Sequence, residues 1–342
     1  MITIKCCDII RIKRGDWVVL TRESLEKNQI GVYAAALIAG GIAGWASPRI
    51  GAFLEPMVSF GIAVLLFSMF CQIPFLKLKE ALSHGRFMGA LLLVNFVFIP
   101  LLVYILIQVF PQPSPVLIGV CLVLLTPCID YVIVFTQLGK GNEKLMLAST
   151  PVLFIVQMIM LPFYLWLFIG QEAAQIVRVA PFIEAFIYLI VVPFLFALAV
   201  QLSANKHSRG LKLLDFTAWL PVPLMALVLF LVIGSQVDRI VKDFDVIIAV
   251  IPIYVLFHIV SPLASRIISS AFRIGPSDGR ALIFSAGTRN SLVVLPLALT
   301  LPGGMATIAA SVIVTQTVIE LIAELVYIKI VPNLIYRDLK AA

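Results

Sequence analysis

Ten long apolar runs constrain this chain more than any other feature of its sequence. An α-helix needs roughly 20 apolar residues to cross the hydrocarbon of a bilayer. The runs lie at about 29–47, 54–73, 87–109, 115–138, 145–170, 179–202, 216–234, 245–265, 281–301 and 304–330. Charged residues make up only 13% of the chain, whereas a soluble domain has about 25%. The pattern predicts an all-α integral membrane protein with ten transmembrane helices.

The segments between these runs are short, so we expect one membrane unit. The predicted division is a cytoplasmic N-terminal segment at 1–27, a ten-helix transporter domain at 28–335 and a cytoplasmic tail at 336–342. No soluble domain fits between the spans.

The basic residues predict the orientation of the spans. If both termini are cytoplasmic, 20 of the 25 Lys and Arg residues lie on the cytoplasmic side, four lie outside and Arg289 lies within a span. Cytoplasmic loops of membrane proteins carry an excess of Lys and Arg. We therefore expect a multi-pass protein of the cell (inner) membrane with both termini inside. The net charge of +7 reflects this topology, and we do not expect nucleic-acid binding.

Two segments 162 residues apart resemble each other. TPCIDYV at Thr126–Val132 aligns with TRNSLVV at Thr288–Val294, and each lies near the middle of its run, the fourth and the ninth. Two halves of five spans have opposite orientations in the membrane, as in the inverted repeats of many secondary transporters. The alignment predicts two inverted five-helix repeats.

Both aligned segments contain residues that interrupt a helix. Pro127 lacks a backbone donor and clashes with the preceding turn, and Gly287 lies just before a polar Arg-Asn-Ser sequence. We predict helix breaks at Pro127 and Gly287. Interrupted helices in corresponding positions of two halves indicate a substrate site near the membrane midplane.

Asp130 and Arg289 lie at similar depths on the two interrupted spans. A charge at the bilayer centre costs roughly 2.5–3.5 kcal/mol, so we predict that the two side chains form an ion pair. That pair is either a structural feature or part of the transport mechanism. Cys128 likewise is either a small packing residue or a soft ligand for a thiophilic solute.

Gln316, Glu320 and Glu324 repeat every four residues along the tenth span, which places them on one face of a helix. Glu320 lies nearer the midplane and can carry a proton, whereas Glu324 lies closer to the cytoplasmic interface. The candidate proton carriers are Asp130 and Glu320. The candidate substrate ligands are Cys128, Arg289, Asn290, Ser291 and Asn95.

The sequence contains no G-x-x-x-x-G-K-[ST] motif, no cluster with metal-ligand spacing and no nucleophile triad. We therefore expect neither ATP hydrolysis nor another enzymatic activity, and no cofactor. The expected partners are a small-molecule substrate, protons and the lipid bilayer, and the oligomeric state is left open.

The segment TPCIDYVIVFTQLGKGNEK at Thr126–Lys144 resembles the bile acid/arsenite/riboflavin transporter superfamily, and within it the arsenite efflux permeases. LVNFVFIP at Leu93–Pro100 resembles a third-span pattern of the same permeases. The resemblance implies a panel domain of spans 1, 2, 6 and 7 beside a core domain of spans 3–5 and 8–10, in which helices 4 and 9 cross. It also implies that Cys128 matches the cysteine that arsenite transport requires in that family.

The same comparison shows where this chain departs from its relatives. The bile acid symporters hold sodium with side chains whose positions here are occupied by Val132, Ile133, Ser285 and Arg289. Both sodium sites are therefore expected to be lost, and Arg289 introduces a fixed cation near one of them. Asn290 is retained from the ninth-span motif of the arsenite permeases.

These observations lead to two predictions of function. The first is proton-coupled efflux of arsenite or a related thiophilic oxyacid, with Cys128 binding the solute and Asp130 or Glu320 carrying the proton. The alternative is a transporter of an organic anion, with Arg289 binding a carboxylate.

The predicted ion pair can be tested by removing its partners singly and together. Asp130→Asn and Arg289→Gln should each lower the yield of folded protein, because each leaves the other charge unpaired at membrane depth. The double variant should recover stability relative to either single change. Thermal unfolding in detergent measures this, and additive losses in the double variant would show that the two side chains do not meet. If the pair is only structural, the double variant should transport as well as it folds.

Overall fold

The computed structural model describes residues 9–11, 17–19, 22–73, 75, 84–129, 131–176, 184, 187–205, 207–242, 244–302 and 304–336. Most of the described residues are helical. The exception is a short antiparallel pair near the N-terminus, in which β1 (Ile9–Arg11) pairs with β2 (Trp17–Val19). The predicted N-terminal segment at 1–27 and the tail at 336–342 otherwise lie largely outside the described residues.

The described residues of the first half of the chain form seven helices. They are α1 (Arg22–Ala46), α2 (Pro48–Gln72), α3 (Gly85–Leu93), α4 (Ile99–Val109), α5 (Ser114–Leu124), α6 (Val132–Leu138) and α7 (Glu143–Ile176). A π-helical turn at Val94–Phe98 joins α3 to α4. The fourth predicted span is thus made of two short helices, α5 and α6.

In the second half of the chain, the part that the structure describes also forms seven helices. They are α8 (Val192–Ala204), α9 (Ser208–Thr217), α10 (Pro221–Lys242), α11 (Phe244–Ala271), α12 (Pro276–Gly287), α13 (Ser291–Leu299) and α14 (Gly304–Ile330). Further π-helical turns precede α8 at Ile187–Val191 and follow α14 at Val331–Ile335. The ninth predicted span is made of α12 and α13.

Four helical stretches of the described residues are long and apolar enough to cross a membrane, and a bent pair makes a fifth if it is one broken span. The four are Gly85–Val109, Glu143–Phe168, Asp245–Ala271 and Gly304–Ile335, and the pair is Ser208–Thr217 with Pro221–Ser235, which meet at 45°. Large apolar side chains such as Trp45, Phe53 and Phe60 are exposed, as expected of surfaces that face lipid. The chain is an apolar helical membrane protein, and the ten-span count and the inverted repeat stay predictions.

Two sets of helices pack mainly among themselves. In one set α10 packs on α1 and α2, and α2 also packs on α8. In the other set α14 packs on α5, α11 and α13, and α11 also packs on α12. These contacts fall within the spans predicted for the panel and for the core, and the division into two domains stays a prediction.

The helices α1 and α10 approach each other closely at Gly40. A Cβ atom on Gly40 would lie 2.6 Å from the carbonyl oxygen of Phe230. That oxygen belongs to the backbone of α10, so it cannot move without moving the helix. Gly40 therefore sets the distance between these two helices, as small residues do at close helix contacts in membranes.

Gly40→Ala should lower the stability of the protein because α1 must move away from α10. Overpacking of this kind costs typically about 1–3 kcal/mol. Gly31→Ala on the same helix is a matched control, because a Cβ atom there would have nothing within 4 Å. The control should be neutral or stabilising, since Ala is about 1 kcal/mol better than Gly in a helix. Equal unfolding temperatures for the two variants in detergent would contradict this account.

Candidate functional site

The two interrupted spans meet where their helices break. Residues 125–131 separate α5 from α6, and residues 288–290 separate α12 from α13. Within these segments Pro127 faces Arg289 in an antiparallel bridge. We call residues 126–128 and 288–290 together the crossing.

Backbone hydrogen bonds on either side of this bridge hold the crossing together. The Cys128 N–H donates to the Thr288 carbonyl at 3.1 Å, and the Asn290 N–H donates to the Thr126 carbonyl at 2.9 Å. Pro127 occupies the position between them, where the pairing needs no N–H donor from either segment. Each interrupted segment thus provides hydrogen-bond partners for backbone groups of the other segment that lie outside a helix.

The guanidinium of Arg289 is fully buried and bonds the ends of two half-helices. Its Nη1 donates to the Leu124 carbonyl at 3.4 Å, and its Nη2 donates to the carbonyls of Ser285 at 2.6 Å and Ala286 at 2.8 Å. These carbonyls belong to the last turns of α5 and α12, where a helix carries partial negative charge. The guanidinium carbon also lies 5.6 Å from the centre of the Phe257 ring. The Arg289 side chain therefore caps both half-helices at once.

Asn95 connects the third predicted span to this site. Its Oδ1 accepts from Arg289 Nη2 at 2.9 Å, and its Nδ2 donates to Ser285 Oγ at 3.0 Å and to the Leu91 carbonyl at 3.1 Å. Asn95 lies in the π-helical turn Val94–Phe98, a kind of turn that is frequent at functional sites. Its amide bonds the arginine and the end of α12, and its side chain is fully buried.

Asp130 lies outside the described residues, so its ion pair with Arg289 stays a prediction. Within the described part of the chain, the guanidinium donates to carbonyl and amide oxygens and to no carboxylate.

Glu320 on α14 binds the backbone of the crossing. Its Oε2 accepts from the Arg289 N–H at 2.8 Å and from Gln316 Nε2 at 2.5 Å. The Tyr131 hydroxyl lies 2.7 Å from Glu320 Oε1 and 2.9 Å from the Arg289 carbonyl. That hydroxyl has one proton and lies closer to the carboxylate, so Tyr131 donates to Glu320, and Glu320 in turn holds the backbone N–H of Arg289.

Glu324 lies one turn further along α14 and also reaches the crossing. It is fully buried, and its Oε1 lies 3.0 Å from Thr288 Oγ1, which is 2.6 Å from the Phe284 carbonyl. Glu324 Oε2 is buried and has no hydrogen-bond partner. Glu324 is therefore part of the polar cluster at the crossing, and its position near the cytoplasmic interface stays a prediction.

Gly287 ends α12 beside the same face of α14. A Cβ atom on Gly287 would lie 2.6 Å from a ring carbon of Tyr327 and 3.3 Å from Glu324 Oε1. The absence of a side chain at Gly287 therefore lets α14 approach the crossing.

Asn290 and Ser291 lie at the start of α13. Asn290 Oδ1 accepts from the Val293 N–H at 3.3 Å, so this side chain caps the helix. Asn290 Nδ2 and Ser291 Oγ are buried without a hydrogen-bond partner.

Cys128 is a fully buried thiol in the crossing. Its backbone N–H takes part in the pairing with Thr288, and the next residue, Ile129, lines a cavity. Cys128 is therefore adjacent in sequence to a residue that lines the cavity, but its own thiol does not line the cavity in this conformation.

A cavity of about 280 Å³ lies between the crossing and the helices α1, α2 and α10. The lining side chains that the structure describes are all uncharged; they are Tyr33, Leu65, Met69, Gln72, Ile73, Ile129, Tyr131, Ile133, Val134, Gln137, Leu147, Ala218, Pro221, Val222 and Met225. Four of them, Tyr33, Tyr131, Gln72 and Gln137, offer polar groups among apolar walls. None of the five candidate substrate ligands, all of which the structure describes, lines this cavity.

The four positions where sodium ligands are expected to be replaced lie in different surroundings. Val132 is buried at the start of α6, Ile133 lines the cavity, and Ser285 and Arg289 bond Asn95. The structure brings Arg289, Asn95 and Glu320 together at the crossing.

Sequence reasoning missed Tyr131, Gln316 and Glu324 as parts of this cluster. The four-residue spacing of the tenth span signals the two α14 residues, but it does not reveal which of them reach the crossing. Tyr131 gives no signal of its own in the sequence.

The model of the sodium bile acid symporter family matches residues 59–243, more than half of the chain. No curated protein matches the chain closely enough to suggest a substrate.

Proposed function

This chain belongs to the sodium bile acid symporter family and is a membrane transporter of that type, and we propose that it couples efflux of a small uncharged solute to protons. Arsenite in its neutral acid form, or a related thiophilic oxyacid, is the first candidate solute. Two observations support this choice. The Cys128 segment resembles arsenite permeases, and the described side chains that line the nearby cavity are uncharged.

One observation carries the proposal that sodium is not the coupling ion. In secondary transporters, unwound backbone and the C-terminal ends of half-helices coordinate sodium. Here the guanidinium of Arg289 bonds the carbonyls at the ends of α5 and α12. A covalently attached cation thus takes the contacts that a sodium ion would need.

Buried carboxyls beside the crossing support protons as the coupling ion. Glu320 and Glu324 are both fully buried, and they contact the Arg289 backbone N–H and the Thr288 hydroxyl of the crossing, respectively. If the crossing rearranges during transport, the protonation state of a carboxyl that contacts it can be linked to the conformation of the transporter. Asp130 remains the second proposed carrier, next to Tyr131 in the sequence.

The position of the cavity supports efflux. Its lining includes Gln72, Gln137 and Pro221, which lie at helix ends next to the basic loops that are predicted to be cytoplasmic. A solute would enter this cavity from the cytoplasm. A rearrangement of the crossing would then bring it to Cys128.

The organic-anion alternative has less support from this geometry. Arg289 is fully buried, bonds protein oxygens and does not line the cavity. Carboxylates therefore serve as comparison solutes.

Uptake into everted membrane vesicles tests the solute and the coupling ion. Arsenite uptake should require an imposed proton gradient, collapse when a protonophore is added and stay unchanged when choline replaces sodium. A clear sodium requirement would show that Arg289 does not replace the ion. Uptake of a carboxylate without uptake of arsenite or antimonite would favour the organic-anion alternative.

Cys128→Ser tests the soft ligand. The serine keeps the size of the side chain and leaves the backbone pairing with Thr288 in place, so folding should be unchanged. Arsenite transport should fall by at least about ten-fold, the lower end of what disturbing a metal-ion site costs.

The matched control is Cys121→Ser. Cys121 is a fully buried thiol on α5, in the same interrupted span, and does not belong to the crossing. This variant should transport arsenite at the wild-type rate. Wild-type transport by both serine variants would rule out the role of the Cys128 thiol.

A further inference from the structure

Two carboxyls, Glu320 and Glu324, lie one turn apart on α14 beside the single guanidinium of Arg289. All three side chains are fully buried. Uncompensated charge at this depth is costly, so a neutral cluster is strongly favoured. These three groups are neutral together when one of the two carboxyls holds a proton.

The donors around Glu320 identify it as the ionised carboxylate. Its Oε2 accepts from two N–H groups, those of Arg289 and Gln316, and its Oε1 lies 2.7 Å from the Tyr131 hydroxyl. Hydrogen bonds donated to a carboxylate favour its charged form. Among the carboxyls that the structure describes at this site, Glu320 therefore supplies the negative charge that balances Arg289.

The surroundings of Glu324 are the opposite. Its Oε2 has no hydrogen-bond partner among the described residues, and a partnerless oxygen is less costly on a neutral acid than on a carboxylate. Its Oε1 lies 3.0 Å from Thr288 Oγ1, but that hydroxyl has one proton and lies closer, 2.6 Å, to the Phe284 carbonyl. With the Thr288 proton on Phe284, the contact with Glu324 is a hydrogen bond only if Glu324 donates.

We propose that Glu324 is the proton-binding site of the transporter and holds a proton in this conformation, while Glu320 is the fixed counter-charge of Arg289. The role of this proton in transport rests on the proposed function above. The protonation of Glu324 itself rests on the geometry alone.

The other groups that face Glu324 do not supply a second charge to balance it. Among the described residues, Tyr327 on α14 interacts with Glu324, while His258 on α11 and Tyr131 and Cys128 beside the crossing interact with Arg289. The Tyr327 hydroxyl donates to the His258 carbonyl. His258 Nδ1 lies 2.8 Å from the Tyr254 carbonyl and Nε2 has no partner, as in a neutral imidazole.

Loss of the proton would act directly on the crossing. Two carboxylates would then lie one turn apart beside one guanidinium, and Glu324 would compete with Phe284 for the Thr288 hydroxyl proton. Thr288 also holds the Cys128 N–H through its carbonyl. Deprotonation therefore favours a rearrangement of residues 288–290, which carry one side of the backbone pairing with residues 126–128.

Infrared spectroscopy of the purified full chain in detergent tests where the proton is. A carboxylic-acid C=O band should be present in the wild type at neutral pH, disappear in Glu324→Gln and remain in Glu320→Gln. Glu324→Asp should restore the band at a shifted frequency. A band that survives in Glu324→Gln and is lost in Glu320→Gln would overturn the assignment.

Thermal unfolding gives an independent measure that needs no transport. Glutamine mimics the protonated acid, so Glu324→Gln should unfold near the wild-type temperature. Glu320→Gln should unfold at a lower temperature, because it leaves Arg289 without its counter-charge. The reverse order would contradict the proposal.

A transport assay distinguishes a failure of the Glu324 proposal from a failure of the proposed function. In proteoliposomes with an imposed proton gradient, Glu324→Gln should lose gradient-driven arsenite accumulation, and Glu324→Asp should retain part of it. If the wild type shows no proton-driven transport, the proposed function fails while the two measurements above still decide the protonation of Glu324. If the wild type is proton-driven and Glu324→Gln accumulates solute equally well, Glu324 is not the coupling site.

Discussion

The pairing of two backbone segments at the crossing is the interaction on which the rest of the site depends. Backbone N–H and C=O groups alternate sides along an extended segment. The Thr288 carbonyl and the Asn290 N–H therefore point to the opposite segment, while the N–H and C=O groups of Arg289 point away from it. The outward N–H of Arg289 donates to Glu320, and its carbonyl oxygen lies 2.9 Å from the Tyr131 hydroxyl. Backbone outside a helix is tolerated at membrane depth only where protein or water satisfies it. Here Glu320 on α14 satisfies the Arg289 N–H, and the opposite segment satisfies the Thr288 carbonyl and the Asn290 N–H.

Much of this arrangement can be read from local sequence. Pro127 and Gly287 mark the interruptions because each has a backbone property that other residues lack, and such properties act within a few positions. The apolar runs locate the helices for the same reason. The family match supports the membrane transporter that these patterns predict, and it covers residues 59–243. The second half of the crossing lies beyond the matched residues, and the departures from the family motifs fall on both sides of that boundary, with Val132 and Ile133 inside it and Ser285 and Arg289 beyond it.

The partners of the buried polar groups could not be predicted from the sequence. Glu320 and Glu324 share a helical face, but their different roles arise from what the crossing presents to each: an N–H of Arg289 to one and a Thr288 hydroxyl to the other. Arg289 likewise bonds carbonyls rather than a side chain that a charge pattern would reveal. Backbone acceptors are present at every residue, so only the three-dimensional path of the chain shows which ones meet a cation.

The attachment of Arg289 to its own chain has a consequence for how the crossing behaves in different media. A free ion occupies a site according to its concentration and leaves at a finite rate. A tethered group has an effective concentration set by its linker and by nothing in the solution. The half-helices α5 and α12 thus keep the same neutralising charge in fresh water and in brine. The cohesion of this part of the fold is decoupled from the salinity of the environment.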